Sequence, residues 1–554
     1  MRASISTLAI VCSIAGGCLS GCAAAQLWAE APDKTLRSTS DRASGMGGEH
    51  VLLVGIDGLR RDVFLEELND GRLPGFSKLL GGFEDGGHPH TYVHPRAIAP
   101  FPSVTAAGWT AIVTGEPASR NGVPGNEMLL RPSGKFVAPV PMSVADNGDL
   151  LATFNDQLFA DFVAVPTLYQ RLHEHGLTSW VATNHVHHGA DRLLLPGKDD
   201  LVEGLGQTLM SHVGAVDDER AYSELDDGTF DTVIGELEAD DAKAPNLVMV
   251  YTSGTDLFAH ESDSGPVEEV QRAYLRDQLD ERMGELADAL ARHGTWYVVL
   301  VADHGHTEMV SDDEHALGMG GAEAPAARVL AEAGFHVHEP SLGMVNGTAN
   351  AVFALQSGAA FLYLSDRSRC GPQQCYWGRP PRYQEDVLAA ADALVAASRD
   401  GGPLTGKVTT VLVREPKPFE EDDLPFVVYL GNGATQPVVE HLRDNPDVSG
   451  PELARRLQHL AVGPRGDRAG DVVILARAGK MPEDRYYSSA KPYHSSHGAA
   501  QQTDSVIPLI VAHPERSAAW LEQVVMSHVG ETAFAHEVTA VVEAMARGEV
   551  PYVP

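Results

Sequence analysis

Trp296-Tyr297-Val298-Val299-Leu300-Val301-Ala302-Asp303-His304-Gly305 is the stretch that decides the fold. An unbroken apolar run ends directly in a carboxylate, an imidazole and a glycine. A run of this length with no polar alternation reads as a strand buried on both faces, as in a parallel sheet. Two other stretches repeat the pattern. His50-Val51-Leu52-Leu53-Val54-Gly55-Ile56 ends in Asp57-Gly58, and Asn246-Leu247-Val248-Met249-Val250-Tyr251 is followed by Asp256. In open α/β sheets, ligands collect at the carboxyl ends of strands, where these acidic residues fall.

Helical patterns lie between the runs. Val267, Val270, Tyr274, Leu275, Leu279, Met283, Leu286 and Leu290 recur at steps of three and four, between Pro266 and Gly294. Pro166 to Gly176 and Val387 to Ser398 read as further helices. Strands alternating with helices predict an α/β three-layer sandwich with a mostly parallel central sheet. The core is expected over residues 50–315 and 471–554. Residues 316–470 are less regular and read as an inserted α+β cap subdomain. Asp471-Val472-Val473-Ile474-Leu475 is expected to bring the chain back into the main sheet.

The N-terminus has a different composition. Arg2 precedes an apolar stretch from Ile5 to Leu19, which is too short and glycine-rich for a membrane span and reads as an export signal. Leu19-Ser20-Gly21-Cys22 resembles the bacterial lipoprotein signal, so residues 1–21 are expected to be removed and Cys22 lipidated. An ordinary secretory signal cut near Ala25 is the alternative. Residues 22–49 read as a flexible polar tether. The protein is then exported and held at the bacterial cell envelope, periplasmic or outer-membrane-associated, with the lipid anchor as its only membrane contact. Cys370 and Cys375 remain, flanking a turn-like spacer, and in an exported chain they are expected to pair. With no second cysteine pair, half a zinc knuckle does not fit. A formal net charge of −35 argues against a nucleic-acid polymer or an anionic membrane as a surface-wide partner.

Seven residues carry the chemistry: Asp57, Thr105, Asp256, His260, Asp303, His304 and His497. Ala106 to Thr114 reads as a short helix closed by Gly115. Thr105 then sits at its N-terminus, where unpaired N–H groups favour an anion. Taken singly, Thr105 is an ordinary N-cap. A threonine hydroxyl needs a base or a metal to become a nucleophile. Asp256 and His260 are spaced to share one face of a helical turn. Three aspartates and a threonine alkoxide would balance two divalent ions. Nitrogen and oxygen donors with an open position fit Zn2+ best.

The order and surroundings of these residues resemble the alkaline phosphatase superfamily, in its type I phosphodiesterase/nucleotide pyrophosphatase branch. The matching pieces are Gly55-Ile56-Asp57-Gly58, the run from Phe101 to Gly115, Gly122-Val123-Pro124-Gly125-Asn126, the Asp256/His260 pair, Asp303-His304-Gly305 and His497-Gly498. The resemblance implies one metal on Asp256, His260 and His497. It implies a second on Asp57, Asp303, His304 and the oxygen of Thr105. Thr105 is then the nucleophile, forming a phosphothreonine, and Asn126 stabilises the phosphate oxygens. The expected substrate is a small phosphate ester or nucleotide.

The chain also departs from the pattern. Ala107-Gly108-Trp109 stands where the family often has Pro-Asn-His. The long stretch between His304 and His497 implies an added lid or cap. His306, close to the metal motif, reads as an exposed outer residue, with a substrate contact as the alternative. Phosphomonoesterases of the branch add a basic pair, whose candidates lie in His185 to Arg192 without a clear Lys/Arg pairing. Diesters or pyrophosphates are therefore the expected substrates, with a phosphomonoesterase as the alternative. The non-enzymatic alternative is a surface lipoprotein that binds a metal or ligand.

Overall fold

In the computed structural model the described residues are 36–37, 49–84, 86–131, 133–140, 163–196, 218–239, 243–339, 343–345, 347–420, 423–489 and 492–550. The lipidation site expected at Cys22 lies outside them. Among the described residues no helix is long and apolar enough to cross a membrane.

The main sheet has eight strands: β1 (Leu36–Arg37), β2 (Val51–Ile56), β3 (Thr91–Val93), β4 (Ser179–Ala182), β5 (Arg192–Leu194), β6 (Leu247–Thr252), β7 (Tyr297–Val301) and a last strand, Leu509–Ala512. The five strands β5-β4-β6-β2-β7 are parallel in that order. Leu509–Ala512 pairs antiparallel to β7, β3 pairs antiparallel to it, and β1 closes the other edge antiparallel to β5. Every residue of β2, β6 and β7 is buried, as continuous apolar runs require.

Helices pack on this sheet. They include α1 (Thr105–Thr114), α2 (Asp218–Glu238), α3 (Gly254–Glu261), α4 (Val267–Tyr274) and α5 (Asp280–Ala291). The periodic segment after Pro266 is one continuous helical stretch. A turn of π-helix over Leu275–Leu279 joins α4 to α5. The predicted α/β architecture with a mostly parallel sheet is the one formed.

A second, wholly antiparallel sheet holds β8 (Ala351–Gln356), β9 (Ala359–Leu364), β10 (Val408–Arg414), β11 (Phe426–Gly431), β12 (Ala434–Pro437) and β13 (Val472–Ala476), in the order β8-β9-β13-β10-β11-β12. This corrects the expected return at Asp471 to Leu475. β13 lies between β9 and β10 in the inserted sheet, and the strand that rejoins the main sheet is Leu509–Ala512, designated β14. The error has a physical cause. Val473 and Leu475 pack into the core shared with the main sheet, while Val472, Ile474 and Ala476 face a separate core under the helix Ala389–Ala397. A central antiparallel strand covered on both faces has the same apolar run as a parallel one. Cys370 and Cys375 form the expected disulfide within the insertion.

Candidate metal centre and nucleophile

The carboxyl ends of β2, β6 and β7 bring the predicted residues together. Asp57 follows β2, Asp303 and His304 follow β7, and α3 begins two residues after β6. On α3, Asp256 and His260 are one turn apart, and His260 Nε2 lies 3.6 Å from Asp256 Oδ2. His497 arrives from the loop before β14. Two sets of potential ligand atoms result: Asp57, Asp303 and His304 form one, and Asp256, His260, His306 and His497 form the other. All seven are buried. The sets adjoin, because the His304 and His497 rings stack with centroids 3.7 Å apart.

Backbone carbonyls orient the imidazoles. His260 Nδ1 meets Ser495 O at 2.8 Å, His497 Nδ1 meets Ser103 O at 2.8 Å, and His304 Nδ1 meets Gly305 O at 3.0 Å. A carbonyl can only accept, so each Nδ1 carries the proton and each Nε2 presents a lone pair to the centre. This is the usual arrangement behind a histidine that ligates a metal. His306 was expected to be exposed, but it is buried. Ser495 Oγ donates to Ala259 O, so His306 Nδ1 donates to Ser495 Oγ at 3.0 Å. The lone pair of Nε2 then faces Asp256 Oδ1 at 2.6 Å, a contact that needs a proton or a cation between them. Only its position two residues after His304 could have flagged this histidine.

The carboxylates indicate what the site lacks in protein donors. Asp57 Oδ2 accepts from the Tyr251 hydroxyl at 2.5 Å and from Trp109 Nε1 at 3.1 Å. Asp57 Oδ1 and Asp303 Oδ2 are buried with no hydrogen-bond partner. They lie 3.3 and 3.2 Å from His304 Nε2. Burial pushes both acids well above the ordinary carboxylate range, and repulsion from neighbouring carboxylates adds to it. Asp256 moves the opposite way. Burial would raise it, but His260, His306 and His497 outweigh burial and hold it well below the ordinary range. Burial also lowers His304 to about 3, so its ring is neutral and able to ligate. Unsatisfied buried carboxylate oxygens facing neutral imidazole nitrogens are costly without a cation. The donor set therefore fits divalent metals.

Thr105 is the first residue of α1, and Val104 occupies the cap position with no side-chain capping bond. The threonine hydroxyl is thus not used as a cap. It lies 3.2 Å from His304 Nε2, beside the Asp57/Asp303 set. Gly115, in the left-handed conformation, ends the helix as expected. Gly108 has a steric reason to be glycine, since a Cβ there would sit 2.5 Å from Asp303 Cβ. Asn126 Oδ1 accepts the Ala106 N–H at 2.9 Å, which ties this side chain to the first turn of α1. In the segment His185 to Arg192, Arg192 pairs with Glu236 at 2.6 Å and lies over the Trp180 ring at 4.6 Å. The roles of Trp109, Tyr251 and Gln356, described below, were not anticipated from the sequence.

The family model described as type I phosphodiesterase / nucleotide pyrophosphatase matches residues 51–500. No curated protein matches the chain. Among solved structures, human ectonucleotide pyrophosphatase / phosphodiesterase 5 is similar at 13% identity, covering 91% of this chain and 96% of that one, with a TM-score of 0.50. An inactive form of the murine counterpart in complex with AMP gives 13% identity, the same coverages and 0.49. Phosphonoacetate hydrolase from Sinorhizobium meliloti, in complex with phosphonoformate, gives 16% identity, 93% and 100% coverage and 0.47.

Proposed function

Because the chain belongs to the type I phosphodiesterase / nucleotide pyrophosphatase family, whose members hydrolyse phosphoric ester and phosphoanhydride bonds, we propose that it is an exported phosphodiesterase or nucleotide pyrophosphatase working through Thr105. The observation that carries this reading is the Thr105 hydroxyl. It does not serve as a cap, it stands at a helix N-terminus, and it is 3.2 Å from a histidine of a buried Asp/His set.

Asp57, Asp303 and His304 would hold one divalent ion, and Asp256, His260 and His497 the other, with His306 against Asp256. Mixed nitrogen and oxygen donors favour Zn2+ in both places. When bound, the ions supply Lewis acidity and neutralise charge around the transferring phosphoryl group. The remaining work falls to the chain itself. Thr105 Oγ forms the bond to phosphorus as its proton is lost and the bond from phosphorus to the ester or anhydride oxygen breaks, the leaving oxygen taking up a proton. Water later cleaves the resulting phosphothreonine and restores the hydroxyl. The Asn126 amide and the N–H groups of the first turn of α1 hold the non-bridging oxygens. Preorganised donors of this kind are each worth roughly 10²–10³ in rate.

Arg192 supports a diester or pyrophosphate substrate over a monoester. A monoester dianion is best gripped by an additional basic group. The arginine nearest in sequence to that role is already engaged with Glu236 and Trp180. A small nucleotide or similar ester is the proposed substrate class.

Thr105→Ala should abolish hydrolysis of bis-p-nitrophenyl phosphate by the metal-loaded protein, and undiminished turnover would sink the mechanism. Faster turnover of p-nitrophenyl phosphate by wild type would point to a phosphomonoesterase. A wild type loaded with zinc but inactive on both would point to a binding role. Lipidation at Cys22 is proposed with the function, and the Cys370–Cys375 disulfide agrees with an oxidising compartment. Loss of palmitate labelling in Cys22→Ser would test it.

A further inference from the structure

The inserted sheet meets the candidate site at the turn between its first two strands. Gln356 ends β8, Ser357-Gly358 leads into β9, and Ser357 has a positive φ of 55°. Gln356 is completely buried. Its Oε1 accepts the Asn126 N–H at 2.8 Å, and its Nε2 donates to Glu127 O at 2.7 Å. A backbone N–H can only donate and a carbonyl can only accept, so these partners fix the orientation of the amide. The Glu127 carboxylate returns the contact by accepting Leu355 N–H at 2.7 Å. Two adjacent residues of the anion-binding loop are therefore clamped to the end of β8.

The clamp leads directly to the nucleophile. Asn126 Oδ1 accepts the Ala106 N–H at 2.9 Å, next to Thr105. With the oxygen so engaged, the donor end of the Asn126 amide is the NH2 group, the end a phosphoryl oxygen requires. No slack is visible at the joint: a Cβ on Gly125 would lie 2.1 Å from Gln356 Oε1. The same turn also holds the loop of His497. Gly358 N–H donates to His497 O at 3.0 Å, and the Ser357 and Ser496 hydroxyls are hydrogen-bonded to each other. A lid that opens would have to break these buried contacts.

We propose that Gln356 is a positioning residue that sets the donor end of Asn126 for the phosphoryl oxygens. The inserted sheet is then part of the catalytic frame instead of a movable cover. The inference rests on the proposed roles of Thr105 and Asn126. Gln356 touches no substrate and acts through its neighbour.

The test is a double-mutant cycle with Gln356→Met and Asn126→Ala in the metal-loaded, full-length protein, using bis-p-nitrophenyl phosphate. Gln356→Met should lower kcat by about 10- to 100-fold, the usual result of misplacing a group near the reacting atoms, with bound metal unchanged. In the Asn126→Ala background the same substitution should cost less than about twofold, because the group it positions is gone. Gln356→Glu keeps the acceptor for the Asn126 N–H and should recover part of the lost rate. That variant also serves if the methionine variant does not fold. An equal loss in both backgrounds, or no loss in the wild-type background, would overturn the proposal. If Thr105→Ala and Asn126→Ala are both as active as wild type, the functional reading itself has failed.

Discussion

Trp109→Phe tests whether the indole, which replaces a residue of the common family pattern, orients a metal ligand. Asp57 Oδ2 takes two donors, Trp109 Nε1 at 3.1 Å and the Tyr251 hydroxyl at 2.5 Å. Together they turn Oδ1 toward His304 Nε2, 3.3 Å away. Phenylalanine removes the longer donor and preserves an aromatic ring against Tyr251, which now meets the indole edge-on at 5.3 Å. A hydrogen bond to a charged acceptor is worth roughly 1.5–3 kcal/mol. The shorter Tyr251 bond survives, so the lower part of that range applies, about 1.5–2 kcal/mol. That corresponds to roughly 10- to 30-fold in metal affinity, in line with outer partners of metal ligands generally. The assay is competitive chelation against a calibrated indicator, with metal content measured in parallel. Affinity of the Asp57/Asp303/His304 set should fall by that factor, while the Asp256/His260/His497 set stays within about threefold. Equal weakening of both sets, or of neither, would refute the reasoning. Loss of indole volume lowers overall stability separately, by roughly 1–2 kcal/mol, and is read from the thermal midpoint in the metal-loaded form.

Three further outcomes follow. Gly108→Ala forces a methyl to within 2.5 Å of Asp303 Cβ, so it should lower metal content at the Asp57/Asp303/His304 set and cut activity, as metal analysis and turnover would report. Asp226 accepts the Ser253 and Gly254 N–H groups at the start of α3, and burial pushes its carboxyl up to about 7. The folded form therefore holds this proton more tightly than the unfolded chain does, and the associated stability is lost as pH rises from about 4 through 7. Asp226→Asn should thus gain stability relative to wild type over that window, and parallel melting curves across pH would contradict this. The third outcome concerns the metal-free protein, in which burial and mutual repulsion raise Asp57 and Asp303 well above the ordinary range. The same sign applies to these two acids, so in the chelated protein Asp303→Asn should gain stability relative to wild type as pH rises above the ordinary carboxylate range, and calorimetric midpoints that run parallel across pH would contradict this.

Much of the fold could be read locally. Apolar runs at 51–56, 247–252 and 297–301 are strands because no polar side chain interrupts them, and the carboxylates that follow fall at their ends. The Asp256/His260 pair needed only helical spacing. The sequence by itself therefore determined the parallel sheet and the position of Thr105 on a helix N-terminus, and its resemblance to the family grouped six of the seven side chains that the fold gathers into two sets of potential ligands. It could not place β13, because an apolar run records that both faces are covered without recording what covers them. It also left out Gln356 and the role of Trp109, and it read His306 as exposed. Gln356 lies 230 positions from the N–H it accepts, and Trp109 lies 52 from the carboxylate it orients. Hydrogen bonds of that reach leave no periodicity in the chain. They exist only once packing has expelled water from between the partners, so tertiary structure alone decided how the candidate ligands and the Asn126 amide are aimed.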